Sequence, residues 1–293
     1  MLPLYPDLTP VNLDSREQIQ NIILKFQIGI SSLAFANIYL FRKKYCFKVS
    51  LLENALLIIG TEKGKTFFSI LGKLPKKFFL TELLKEYNQW KNISEEQAAK
   101  LRLLLPDEII NEDRNNFEYL YLRTDLTKLP GKNFQKKRNL VNAFIKAYTQ
   151  EEREIKILDK NTLKDALYVL DEWKHGKGEH GDYDSAKESV ELHELLGFNG
   201  LVFYVKGIPI GYCQGEILAN KKSFVVHFEK AINKYKGVYQ YINQEFAKTV
   251  PKNITYINRE QDLGSEGLRQ AKMTYHPVAF VKLFSINASA KAE

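Results

Sequence analysis

Apolar positions change period several times along this chain, and each change marks an element. Ile19, Ile22, Ile23 and Phe26 recur at helical spacing behind Asn12 and a polar run at residues 14–17, which predicts a capped helix within residues 11–27. The apolar stretch 28–41 stops at Arg42, Lys43 and Lys44 and reads as a buried helix or strand pair. Residues 45–50, 55–60 and 66–71 are β-rich runs between turn signals, so three strands are expected there. Helices are predicted over 79–90 and 94–104, a strand over 117–122, a polar turn over 123–132 and a basic helix over 134–148. A boundary near Gln150 divides the chain into an N-terminal domain, residues 1–150, and a C-terminal domain, residues 151–293.

The second half is easier to read. Strands are expected over 154–158, 201–205, 210–218, 223–229, 254–258 and 278–286, with a hairpin turn at Lys206 and Gly207. Helices are expected over 163–173, 183–196, 238–250 and 266–275. The order β-α-α-β-β-β-α-β-α-β is that of the acetyltransferase-type (GNAT-like) fold. The expected class is therefore α/β (α+β), with a mixed central sheet flanked by helices. In that fold a strand leads through a loop into a helix whose first amides are unpaired and attract anions. Lys234, Lys236 and Gly237 occupy that loop here.

Charge narrows the partners. Lys and Arg number 43 against 35 Asp and Glu, a net charge of +8. This favours nucleic acid, phosphorylated ligands or an anionic lipid surface without choosing among them. No apolar run approaches the roughly 20 residues that cross a bilayer. The first residues lack a basic segment followed by an apolar one, so no secretory leader is expected. Cys46 and Cys213 sit in apolar neighbourhoods and read as small core residues, which fits a reducing cytoplasm.

Several segments carry candidate chemistry. Gly60 to Thr66 resembles a phosphate-binding loop but has three residues between its glycines where four are required, and a strand follows where a helix is required; it reads as a β-turn. His175, His180, Asp182 and Asp184 lie in a glycine-rich loop, read as a mobile cover for a substrate in preference to a metal site. His227 and Glu229 end an apolar strand, and strand alternation puts them on one face, with Val226 and Phe228 on the other. Ionisable groups there are costly unless paired or useful. The most concentrated polar segment joins a strand to a helix and contains Asn258, Arg259, Glu260, Asp262 and Lys272. Lys136, Lys137 and Arg138 form a basic run at the domain junction, suited to phosphates or simply to solvent.

These stretches look familiar together. Residues 129–139, 227–231, 237–247 and 257–277 resemble the C-terminal domain of phosphatidylglycerol lysyltransferase, and more closely a family of stand-alone bacterial proteins named after that domain. The resemblance is specific over most of residues 117–280 and holds in outline before that. It implies two tandem GNAT-like domains, an arrangement shared with the peptidoglycan-bridge aminoacyltransferases. Those relatives move an amino acid from charged tRNA to an amine or hydroxyl acceptor without coenzyme A. Their Gly-Leu-x-x-x-Lys helix corresponds here to Gly267, Leu268 and Lys272. The multi-span membrane region of the lipid-modifying enzymes has no counterpart in this sequence. An acetyl-CoA loop would carry Arg or Gln, then Gly, then Gly or Ala; this chain has Lys234, Gly237 and Tyr239, and the bulky Tyr239 disfavours the coenzyme.

The expectation that follows is an aminoacyltransferase with aminoacyl-tRNA as donor and no bound cofactor or metal. Glu229 or Glu260 would receive the amine or act as base, with Asp262 beside them in the catalytic set. Gly237, Tyr239 and Gln240 would hold a phosphate or the oxyanion. Asp262 and Asn258 would orient the substrate, His227 and Lys230 would help to bind it, and Arg259, Lys272 and Arg138 would meet anionic groups. Replacing Lys272 by Ala would then lower turnover and leave the melting temperature nearly unchanged. Two other readings stand beside it: a CoA-dependent N-acyltransferase on the same fold, and a non-catalytic binder of tRNA or of anionic lipid, the latter touching the membrane only peripherally.

Overall fold

The computed structural model describes residues 1–175 and 181–288. The strands form two mixed seven-stranded sheets. The first runs in the spatial order β1 (Thr9–Pro10), β2 (Lys48–Leu52), β3 (Ala55–Glu62), β4 (Lys65–Gly72), β5 (Gln89–Ser94), β14 (Leu283–Asn287), β6 (Ile110–Glu112). The second runs β8 (Arg153–Ile157), β9 (Asn199–Val205), β10 (Ile208–Ile217), β11 (Ser223–Ala231), β12 (Tyr256–Asn258), β7 (Glu118–Leu122), β13 (Ala279–Val281). The two orders correspond strand for strand. Each begins as an antiparallel meander and takes one parallel step, β4 to β5 or β11 to β12. Each then accepts a strand from the other half of the chain. This is a pair of GNAT-like domains.

The exchange is reciprocal. β7 precedes residue 150, yet it lies between β12 and β13 of the second sheet. β14, from the far end of the sequence, lies between β5 and β6 of the first. A cut near Gln150 therefore removes an interior strand from each sheet. The main apolar core also runs through both halves, from Ile19, Phe35 and Ile58 to Phe144, Phe203, Tyr212 and Phe246. A second cluster, around Phe68, Leu83, Trp90 and Ile93, fills the other side of the first sheet.

Local chemistry explains most elements. Asn12 and Ser15 form a reciprocal capping box at residues 12–15, just ahead of the Arg16–Lys25 helix. The Leu163–His175 helix buries Ala166, Val169, Leu170 and Trp173 against one face of the second sheet. The Val238–Thr249 helix buries Val238, Tyr241, Ile242 and Phe246 on the other.

Four sequence expectations change. The helix predicted over 79–90 ends at Glu86, and Trp90 belongs to β5, where it stacks on Phe68. The turn at 123–132 begins as a short helix, Arg123–Lys128. The last strand is two strands, β13 and β14, one in each sheet. Cys46 is exposed, in the left-handed conformation that ends the Arg42–Tyr45 helix; Cys213 is buried as expected.

Candidate functional site

β11 and β12 pair over three residues only, Ser223–Val225 with Tyr256–Asn258, and then diverge. Beyond Val225 the edge of β11 faces a gap in the sheet. At its far end the Tyr239 hydroxyl accepts from the Ala231 N–H and donates to the Ala231 carbonyl, at 3.3 and 3.1 Å. The Val238–Thr249 helix starts there from Gly237, at φ +85°, where a β-carbon would lie 2.2 Å from the Leu140 carbonyl oxygen. Tyr239 and the Gln135–Ala147 helix thus border that end of the gap.

A β-bulge decides which side chains face which side of the gap. Val226 pairs with Gly215 and Phe228 with Gln214, so His227 is the extra residue. Gly215 permits the close approach, since a β-carbon there would sit 1.8 Å from the Val225 carbonyl oxygen. The bulge breaks the alternation that would have put His227 beside Glu229. His227 joins the face of Glu216, while Glu229 turns to the opposite face and to Asn243.

On the first face His227 is fully enclosed between two carboxylates. Its Nδ1 lies 2.9 Å from Glu260 and its Nε2 lies 3.1 Å from Glu216. Burial disfavours its charge, but the bonds to Glu216 and Glu260 outweigh burial and raise its pKa to about 9. Asn37, from the first half of the chain, donates to the same Glu260 oxygen at 2.8 Å. Behind them, buried Glu118 accepts from the Ser31 N–H and hydroxyl and from Asn258 Nδ2. Burial raises the Glu118 pKa, and those three groups oppose it.

On the second face Arg259 donates to Glu229 at 3.1 Å and stacks over Tyr275 at 4.9 Å. Lys137 stands over the same ring at 4.1 Å. Burial and the nearby Arg259 charge lower the Lys137 pKa. Two cations on one tyrosine, with a single carboxylate bonded to Arg259, leave an electropositive spot.

The loop between β12 and the Glu266–Met273 helix is held from inside. Glu260 and Leu263 have φ values of +55° and +52°. Lys272 donates to the carbonyls of Arg259, Glu260 (3.1 Å) and Gln261 (2.7 Å). Burial and Arg259 lower its pKa to about 8. Asp262 is fully buried and accepts from Arg269, Arg114, Tyr119 and the Gly264 N–H. Burial opposes its charge, yet these donors hold its pKa far below the usual carboxylate range.

Residues 25–287 match the family described as phosphatidylglycerol lysyltransferase, C-terminal. The chain belongs to that family. A crystal structure of a conserved protein of unknown function from Bacteroides thetaiotaomicron aligns with a TM-score of 0.87 and 28% identity, over 99% of this chain and 100% of that one. The L-PGS structure from Bacillus licheniformis aligns with a TM-score of 0.65 over 100% of this chain and 95% of that chain; at 14% identity it shares the fold. An uncharacterized protein of Mycoplasmoides gallisepticum is 30% identical over 188 residues, 61% of this chain and 58% of that relative, so the match spans less than two thirds of its length. Among the described residues no helix is long and apolar enough to cross a membrane.

Within this lysyltransferase-family fold, the residues expected from sequence do not all converge. His227, Glu229, Asn258, Arg259 and Glu260 gather at the gap, and Lys272 and Asp262 brace the loop that carries two of them. Gln240 lies by the Tyr275 hydroxyl, beside Arg259. Lys230 turns away: it pairs with Asp182 at 2.7 Å and lies over Trp173. Arg138 also turns away, donating to the carbonyls of Leu129 and Gly131, and its neighbour Lys137 reaches the site instead. The Lys272 ammonium is occupied by backbone, which replaces the expectation that it meets an anion. Of the glycine-rich loop, His180 lies outside the described residues, and Asp182 serves Lys230. Sequence reading missed Glu118, Glu216, Asn37, Asn243 and Tyr275, and named Lys137 only as part of the basic run 136–138. Glu118 and Asn37 did leave a signal, a lone polar residue inside an apolar run.

Proposed function

We propose that the chain is an aminoacyltransferase that takes an amino acid from aminoacyl-tRNA and passes it to an amine or hydroxyl acceptor. The observation that carries this reading is the gap between β11 and β12, flanked by carboxylates on one face and a cation pair on the other. The aminoacyl ester is already activated, so the protein has mainly to position two substrates and stabilise the developing oxyanion. The acceptor nitrogen or oxygen attacks the ester carbon as its proton passes to a carboxylate, the C–O bond to the ribose breaks, and the same proton is returned to the departing ribose oxygen as its hydroxyl forms. Glu260 on the His227 face and Glu229 on the other are the carboxylates at hand, one as counter-ion for an ammonium and one as base. Arg259 and Lys137 face the phosphodiester end. Lys272, Asp262 and Asn258 act as positioning residues for Arg259 and Glu260.

A CoA-dependent reading is opposed by Tyr239, whose hydroxyl occupies the Ala231 backbone at the mouth of the gap. The test is binding of aminoacyl-tRNA against uncharged tRNA, with acetyl-CoA as competitor. Preference for charged tRNA, unaffected by acetyl-CoA, is expected. Binding of acetyl-CoA without tRNA would refute the reading.

A further inference from the structure

The second sheet ends in an unprotected strand. β8 has five residues and, among the described residues, pairs only with β9. The other three sheet edges are shorter: two residues in β1 and three each in β6 and β13. Such an edge is a template for another strand unless something blunts it.

The register fixes which groups are on offer. Lys206 donates to the Glu152 carbonyl and Leu158 to the Gly200 carbonyl, both across the β8–β9 pair. Even-numbered residues of β8 therefore bond inward to β9, and Ile155 and Ile157 turn their N–H and C=O outward. Side chains alternate as well. Ile155 and Ile157 lie on one face, 37% and 70% exposed. Glu154 and Lys156 lie on the other, 3.2 Å apart, with Lys156 over the Tyr204 ring.

We propose that β8 pairs antiparallel with β8 of a second copy, centred on Ile155. The sequence is self-complementary in that register and in no neighbouring one. Ile155 meets Ile155 and exchanges two backbone hydrogen bonds, and the Ile157 N–H reaches the Arg153 carbonyl of the copy. Glu154 falls opposite Lys156 of the copy, twice by symmetry. A lone lysine guards an edge; here each lysine meets a glutamate. The contact is isologous and joins the two second sheets into one across a two-fold axis, away from the gap between β11 and β12.

Sedimentation of the full chain over a dilution series tests this. The wild type is expected to pass from monomer to dimer with concentration. Glu154→Lys and Lys156→Glu each place like charges opposite one another and are expected to weaken the dimer about tenfold or more. The double variant restores opposite charges and is expected to restore the dimer. Ile155→Pro removes an outward N–H that β9 does not use and should abolish association with the far-UV spectrum retained. A wild type that stays monomeric overturns the proposal. So does a dimer indifferent to all four variants, or a double swap that fails to recover what both single swaps lost.

Discussion

The enclosed His227 makes a quantitative demand on stability. Its two nitrogens face Glu216 and Glu260, and its pKa rises from 6.5 to about 9. The folded chain therefore holds this proton more tightly than the unfolded chain. That contribution is fully present below pH 6.5 and is lost as pH rises through about 9. The whole displacement is worth about 3 kcal/mol, and about 2 kcal/mol of it falls between about pH 6 and about pH 8. The side chain is fully enclosed, so little is lost to solvent screening. Lys272 has the opposite sign: its pKa is lowered to about 8, so its penalty is relieved only as pH rises beyond that value. Between about pH 6 and about pH 8 Lys272 keeps most of its penalty, and Glu118, whose pKa burial also raises, adds to the same slope, so the difference between the wild type and His227→Gln isolates His227. Urea unfolding across that window should show the wild type losing about 2 kcal/mol. His227→Gln should be less stable throughout, with a slope flatter than the wild type's by about that amount. A flat wild type, or a variant with the wild-type slope, would refute the argument.

Other consequences follow from the same geometry. Asp262→Asn takes the charge from the carboxylate that Arg269, Arg114 and Tyr119 share and should lower the melting temperature. Lys272→Ala frees three loop carbonyls and should lower the melting temperature together with any turnover; unchanged melting would show that the ammonium does not brace the loop. Separate fragments 1–150 and 151–293 each lack an interior strand and should show no cooperative thermal unfolding by circular dichroism, alone or at first mixing. Lys137→Ala should weaken tRNA binding and flatten its salt dependence, whereas Arg138→Ala should alter melting more than binding.

Much of this architecture is legible in the sequence, because apolar periodicity and caps are local signals. The Leu163–His175 and Val238–Thr249 helices, the β9–β10 hairpin and the polar loop after β12 follow from patterns within a dozen residues. What is lost is non-local. Nothing in residues 117–122 announces that β7 belongs to a sheet built more than 30 residues later. Nothing in 278–286 tells a reader that one run serves two sheets. In the site, one inserted residue mattered most: the bulge opposite Gly215 moves His227 from the side of Glu229 to the side of Glu216, and strict alternation cannot foresee it. At the basic run 136–138 it is Lys137 that reaches the site and Arg138 that turns away, because one position along a helix is a rotation of about 100°.

The polar residues at the gap divide by what they have left to offer. Asp262, Asn258 and the Lys272 ammonium are engaged by the protein itself, and two of the three do so around a loop with positive φ at Glu260 and Leu263. Glu118 ties that loop to the first half of the chain through Ser31 and Asn258. The strain and the buried charge are costs that folding alone does not require. They are met to deliver Arg259 and Glu260 to opposite faces of the gap, where Glu229 and His227 receive them. Under the proposed function a polyanionic donor and a nucleophilic acceptor would meet across one sheet, between faces of opposite charge. The exchanged strand β7, bonded to β12 at Tyr119 through both Arg259 and Glu260, keeps those faces in register. The strand exchange and the charge separation are on this argument one device: the first half of the chain supplies the rigidity with which the second keeps its two charged faces apart.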